Sequence, residues 1–230
     1  MFQVDLMLVE KFKNVRVADV VDALDRYGYH DKILISREIR PLYSGIRIAG
    51  HALTVQTRRV REEVPSMTQE EWEKFTGEWY SKKANYELFM KHAGPGIVIA
   101  VNAAECPDVG FWGSNVGLQA KAKGVEGVVI DGGCRDTWEI QLLRIPVFCK
   151  TRGRTEVVGR LEIPPDGVNI PVTIGGVTVY PGDIVVGDDD GLVVVPRSIA
   201  GKVAERAERQ LEADRASQKP LLEKLGLRLT

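Results

Sequence analysis

The chain has 230 residues, 44% of them hydrophobic and 27% charged, with a formal net charge of −1. That balance suits an ordinary globular domain and excludes a disordered polyelectrolyte or a fibrous repeat. A sequence pI near 6.3 provides no broad cationic field, so direct binding to nucleic acid is not expected. Cys106, Cys134 and Cys149 are too widely spaced for a C-x-x-C motif or a disulfide framework, which fits a reducing cytoplasm. The opening MFQVDLMLVEKF has no signal-like apolar region, and the apolar runs elsewhere are too short to cross a bilayer. A single domain over residues 1–230 is expected.

Residues 15–28 (VRVADVVDALDRYG) place Val17, Val20, Val21, Leu24 and Tyr27 at helical spacing and end on Gly28, predicting an amphipathic helix. IRIAGHALTVQT (46–57) is β-branched with a central glycine and predicts a strand with a bulge or bend. Residues 61–92 interrupt this text with a helical insertion, opened by a capping-box pair at Thr68 and Glu71. Its stripe of Trp72, Phe75, Trp79, Tyr86 and Met90 must bury against the core, a neighbouring subunit or the roof of a pocket.

GIVIAVN (96–102) predicts a buried strand. Residues 114–124 predict a helix stopping at Gly124, and GVVID a second buried strand, together making a strand–helix–strand unit. PVFCK, VNIPVTIGGVTVYPGDIVVG and GLVVVP then suggest antiparallel hairpins joined at Gly-Gly, Pro-Gly and Asp-Asp-Asp-Gly. A helical segment (198–230) closes the chain, with Ile199, Val203, Ala207 and Leu211 on one stripe.

The strongest chemical signal is a buried strand ending in Asp131, turning through two glycines and delivering Arg135 beside Asp136. An arginine fork matches a carboxylate, and an adjacent aspartate offers a hard oxygen to Mg²⁺ or Mn²⁺. An ion pair that merely holds a turn explains the same spacing. Gly113, Ser114, Asn115 and Val116 fall at an expected helix N-terminus, where free N–H groups favour a carboxylate. Ser114 reads as an N-cap rather than a nucleophile, Asp188–Asp190 as a hairpin turn rather than a calcium loop, His51 as a packed or hydrogen-bonded residue, and Cys134 as a small buried filler.

VADVVDAL, IRIAGHALTV, GVEGVVIDGGCRD and PGDIVVGDDDGLVVVP, in that order, resemble the RraA-like family over nearly the whole chain outside 61–92. The family includes 4-hydroxy-4-methyl-2-oxoglutarate/4-carboxy-4-hydroxy-2-oxoadipate aldolases and regulators that inhibit ribonuclease E. The resemblance implies an α/β fold, a swivelling β/β/α-type sandwich of mixed sheets flanked by helices, assembled as a homotrimer or dimer of trimers with pockets at subunit boundaries. It implies a divalent metal ligated by Asp136, a 2-oxoacid gripped by Arg135, and a carboxylate received by amides near Asn115 and Val116, with Gly113 in the same turn. Glu212 on the C-terminal helix, or with less support Glu38, is the implied acid that reaches a neighbouring site.

Ser114 departs from the aldolases, which carry an acid there; the regulators have glycine. Glu139 completes an Arg-Asp-x-x-Glu stretch found in both branches. The expected activity is metal-dependent cleavage of a 4-hydroxy-2-oxoacid to pyruvate, with oxaloacetate decarboxylation as a side activity and Ser114 or Glu212 positioning a proton-carrying water. The rivals are a non-catalytic regulator docking on a ribonuclease, and another metal-dependent lyase or dehydratase acting on sugar acids.

Overall fold

A computed structural model describes residues 2–228. In chain order the strands are β1 (Arg40–Pro41), β2 (Ile48–Gln56), β3 (Arg58–Arg59), β4 (Ile97–Asn102), β5 (Gly110–Trp112) and β6 (Gly127–Cys134). They continue with β7 (Val147–Arg152), β8 (Leu161–Glu162), β9 (Val172–Ile174), β10 (Val177–Val179), β11 (Ile184–Asp188) and β12 (Gly191–Val195). The helices are α1 (Leu6–Lys13), α2 (Val17–Asp25), α3 (Gln69–Lys82), α4 (Glu87–Met90), α5 (Ser114–Ala122), α6 (Thr137–Leu142) and α7 (Ala200–Leu225).

The valine- and isoleucine-rich runs build one mixed sheet in the order β1-β7-β6-β4-β2-β11-β12, with β5 also pairing with β6. β2, β4, β6 and β7 are parallel, whereas β1, β11 and β12 join antiparallel. Both faces are covered, so the central strands are buried along nearly their whole length and largely apolar rather than alternating. On one face Ala49, Ile184, Val186, Val193 and Val195 pack under α1, α2 and α7. Leu53, Ile99, Val101 and Ile130 continue that face beneath the insertion and α5. On the other, Ala52, Val98, Ala100 and Phe148 meet the β9–β10 hairpin. Hairpin, sheet and helices are the three layers of the expected β/β/α sandwich.

Several local expectations change. Gly50 makes no bulge, because the β2–β11 register runs unbroken through it from Ile48 to His51, while pairing with β4 begins only at His51. A Cβ at Gly50 would stand 2.9 Å from the Gly96 carbonyl oxygen, so close backbone approach is what requires glycine. PVFCK becomes β7, parallel to β6, and the Pro-Gly step carries the chain from the small hairpin to the main sheet instead of closing a hairpin. The Gly-Gly and Asp-Asp-Asp-Gly turns do close hairpins. Asp188 accepts from the Val17 amide at the start of α2 (2.9 Å), and Asp189 accepts from the Gly45 amide (3.0 Å).

In the insertion, Thr68 and Glu71 form the expected reciprocal cap of α3. Trp79 is buried and donates to the Leu161 carbonyl (3.0 Å), and Phe89 and Met90 are fully enclosed. Glu162 takes hydrogen bonds from Arg58 and Lys83, tying the end of α3 to the β3–β8 pair. The predicted stripe on α7 is buried at Val203, Ala207 and Leu211, after which the helix is largely exposed. Among the described residues, no helix is long and apolar enough to cross a membrane.

Candidate functional site

β5 and β6 run parallel and end side by side, with Trp112 opposite Cys134. Beyond one end lie Gly113 and α5; beyond the other lie Arg135, Asp136 and α6. The site therefore sits outside the carboxyl ends of parallel strands, where α/β sheets bind ligands. A cleft of about 460 Å³ opens there, lined by Arg135, Asp136, Gly113, Asn115, Val116 and, from the insertion, Tyr86 among others.

Asp136 adopts a left-handed backbone (φ 54°, ψ 32°), a conformation that aspartate tolerates better than most residues at a cost of about 1 kcal/mol or more. The bend turns its carboxylate onto α5. Oδ2 accepts from the Ser114 amide at 3.1 Å and, at a longer 3.4 Å, from the Ser114 hydroxyl. Ser114 is thus the first residue of α5 and not its N-cap; Gly113 occupies the cap position without a side chain, and Asp136 satisfies the Ser114 donor from the turn between β6 and α6. A Cβ at Gly113 would lie 2.6 Å from Asp136 Oδ2, so glycine keeps the space that this carboxylate occupies.

The Arg135 amide donates to the Trp112 carbonyl (2.8 Å), locking the two strand ends together. Its aliphatic stem lies across Gly110, where an added Cβ would meet it at 2.7 Å. Arg135 Nε is 3.9 Å from Asp136 Oδ2, and both side chains remain more than one-third exposed. A long, solvated pair of this kind contributes at most about 1 kcal/mol. It does not account for the strained backbone or the two glycines cleared around it.

The far wall comes from the insertion. Tyr86 stacks on Phe111 (ring centroids 5.1 Å apart) and its hydroxyl donates to the Phe111 carbonyl. Burial of that hydroxyl pushes its pKa well above the ordinary phenol value. Burial also raises Tyr80, against the opposing influence of the Arg135 charge. Asn85, Glu87 and Gln119 complete the polar lining. The insertion is at once core packing and pocket wall, two of the three expectations for its aromatic stripe.

Other candidates fall elsewhere. Glu212 is exposed on α7, which packs on α1 and α2, and does not line the cleft of its own chain. Glu139 is exposed on α6 and Glu38 pairs with Lys150 (2.9 Å) at the β1–β7 edge. His51 is buried, accepts from the Asp5 amide through Nε2 and meets the Gly182 carbonyl through Nδ1, which makes it a hydrogen-bonded core residue. The neighbouring Cys149 and burial push the Cys134 thiol up, so it is held as a thiol. Tyr80, Asn85, Glu87, Gly110, Phe111 and Gln119 are lining residues that spacing alone does not single out.

Asp136 is a single carboxylate, and among the described residues no group of three or more His, Cys, Asp and Glu side chains is arranged to hold a metal. Mg²⁺ commonly keeps several waters and binds through one or two protein carboxylates plus substrate oxygens, so this donor set fits a cation shared with its ligand rather than caged by the protein.

A family profile described as RraA-like, Aldolase/RraA, matches residues 17–194. A protein of Halalkalibacterium halodurans, provisionally named a 4-hydroxy-4-methyl-2-oxoglutarate aldolase, is 29% identical over 96% of this chain and 91% of its own length. The 4-hydroxy-4-methyl-2-oxoglutarate aldolase of Thermus thermophilus is 30% identical over 49% of this chain and 66% of that protein. Among solved structures, Streptomyces coelicolor RraAS2, described as an unusual member of the RNase ES inhibitor RraA protein family, superposes with a TM-score of 0.77. It is 27% identical and covers 95% of this chain and all of that one.

Proposed function

The chain belongs to the RraA-like family, and from that premise we propose that it is a divalent-metal-dependent carbon–carbon lyase of the pyruvate aldolase type, cleaving a 4-hydroxy-2-oxoacid. The observation that carries this reading is the placement of Arg135 and Asp136 at one mouth of a cleft, on a strained turn that two glycines accommodate.

Asp136 would hold a Mg²⁺ or Mn²⁺ ion, which when bound supplies a Lewis acid beside the 2-oxo group. Arg135 presents a guanidinium to the substrate carboxylate and to the oxygen on which enolate charge develops. Asn115 and Val116, in the first turn of α5, offer backbone N–H groups to the same carboxylate. Cleavage between C3 and C4 moves the bonding pair into the pyruvate fragment, while the C4 hydroxyl gives up its proton as the departing carbonyl forms. Within one chain Ser114 is the group placed to orient a water for that proton, its hydroxyl being anchored on Asp136. The same enolate stabilisation would serve oxaloacetate decarboxylation.

Assembly of the chain with copies of itself belongs to the same proposal. Trp138 and Leu142 are 78% and 66% exposed one turn apart on α6, and Leu118 is 43% exposed on α5, the helix packed beside it. This apolar face adjoins Asp136 and suits a second copy that closes the cleft. Replacing Trp138 with Glu is expected to lower the sedimenting mass to that of a smaller species.

The activity test is pyruvate formation from 4-hydroxy-2-oxoacids and oxaloacetate with Mg²⁺ or Mn²⁺, repeated with chelator and with Arg135→Ala. Pyruvate release lost in both controls supports the lyase. Silence across the panel, combined with tight binding to a ribonuclease, overturns it in favour of the docking role that the likeness to RraAS2 suggests.

A further inference from the structure

The charges around the cleft are few and asymmetric. Arg135 is the only cationic side chain among its described lining residues, while Glu87 joins Asp136 as an acid. The remaining groups are neutral: the amides Asn85, Asn115 and Gln119, the tyrosines Tyr80 and Tyr86, and small or apolar residues. Glu87 stands at the start of α4, on the insertion wall, and Asp136 on the sheet wall. Arg135 stands on the sheet wall beside Asp136, near enough to Tyr80 for its charge to act on that phenol, and the insertion offers a substrate tail a carboxylate, amides and aromatic faces.

We infer that the substrate of this cleft is a monocarboxylate: a 4-hydroxy-2-oxoacid whose chain beyond C4 is uncharged, and not one bearing a second carboxylate on its tail. This deepens the lyase reading and rests on it for the reaction, although the selectivity concerns binding as well. A second carboxylate would meet Glu87 and, among the described lining residues, no cation beyond the Arg135 that holds the first, and like charges brought together at a binding surface suppress the wrong partner. An uncharged tail avoids that repulsion, and hydroxyl groups on it would find donors and acceptors in Asn85, Gln119 and Tyr80. Arg135 and a divalent cation set against Asp136 and Glu87 leave one positive charge, which a single carboxylate balances.

Two assays test this together. The first compares pyruvate release from 4-hydroxy-2-oxopentanoate, from a 2-oxo-3-deoxyaldonate and from 4-hydroxy-4-methyl-2-oxoglutarate, in wild type and in Glu87→Lys. The expected kcat/KM for each monocarboxylate exceeds that for the dicarboxylate by at least about tenfold, and Glu87→Lys narrows or inverts the ratio. The second measures calorimetric binding of 2-oxopentanoate and 2-oxoglutarate, equal in carbon number, in the presence of Mg²⁺. The monocarboxylate is expected to bind about tenfold more tightly, with the gap closing in Glu87→Lys. Equal or better handling of the dicarboxylate, or a ratio that Glu87→Lys leaves untouched, overturns the inference while leaving the lyase standing. If no substrate yields pyruvate, the lyase reading fails and the binding ratio alone decides the charge rule. If neither oxoacid binds, both fall.

Discussion

The two walls of the cleft are built by different means. The sheet wall, carrying Gly113, Ser114, Arg135 and Asp136, hangs from two hydrogen-bonded parallel strands, and glycines at 110 and 113 admit the Arg135 stem and the Asp136 carboxylate. The insertion wall, carrying Tyr80, Asn85, Tyr86 and Glu87, is held by aromatic packing of Trp79, Phe89 and Tyr86 and by the Glu162 clamp at Lys83. A ladder fixes atoms closely enough for chemistry, whereas a packed helical insert can vary in shape and charge without disturbing it. On the proposed function, reaction type would belong to the first wall and substrate choice to the second.

Substitutions that separate the walls sharpen this contrast. Arg135→Ala should have the largest effect, lowering kcat/KM for pyruvate release about 100- to 1,000-fold. Its thermal unfolding should barely move, because the exposed pair with Asp136 contributes little to stability. Gly113→Ala should come next, with a loss of up to about 100-fold, since the new Cβ displaces the Asp136 carboxylate rather than removing it. A Gly113→Ala enzyme with full activity would show that the carboxylate's position is unimportant.

In the packing that holds the other wall, away from Glu87, the effects should be on stability. Burial pushes the Glu162 pKa up, but hydrogen bonds from Arg58 and Lys83 outweigh it and hold the carboxylate below its ordinary value. A depressed carboxylate stabilises the fold above its unfolded pKa, and that contribution is lost as pH falls through the folded value. Glu162→Gln should therefore cost about 1–2 kcal/mol at neutral pH in denaturant titrations, with the difference from wild type shrinking in acid below about pH 4. Tyr86→Phe should be the mildest, removing the bond to the Phe111 carbonyl for about 1 kcal/mol of stability and leaving turnover nearly intact.

Much of the sheet wall was legible in the sequence. The β-branched run before Asp131-Gly-Gly announces a buried strand, although β6 continues through both glycines to Cys134 where the sequence suggests a turn, and the helix stop at Gly124 places α5 before it. What spacing could not reveal was that β5 lies alongside β6, since a three-residue strand of Gly-Phe-Trp carries no periodic signal. Gly110 and Gly113 gain their meaning only from that pairing. Ser114 looked like a cap because the residue that caps it, Asp136, is 22 positions away. The aromatic stripe of the insertion was readable as something to be buried, but Tyr80, Asn85 and Glu87 reach the cleft through the packing of α3 and α4, which is a tertiary outcome. Gly50 misled for a related reason: a glycine cleared for a neighbouring backbone and one that makes a bulge read alike until the partner strand is known.

The claim beneath all of this is that Arg135 and Asp136 act on one bound oxoacid, and calorimetric titration of oxamate, a pyruvate analogue, tests it most directly. With wild type, binding should require Mg²⁺ or Mn²⁺. Arg135→Ala should weaken it in the presence of metal, and Asp136→Ala should abolish the metal dependence together with most of the affinity. Oxamate that binds equally well to all three proteins, or binds wild type without regard to metal, would contradict it.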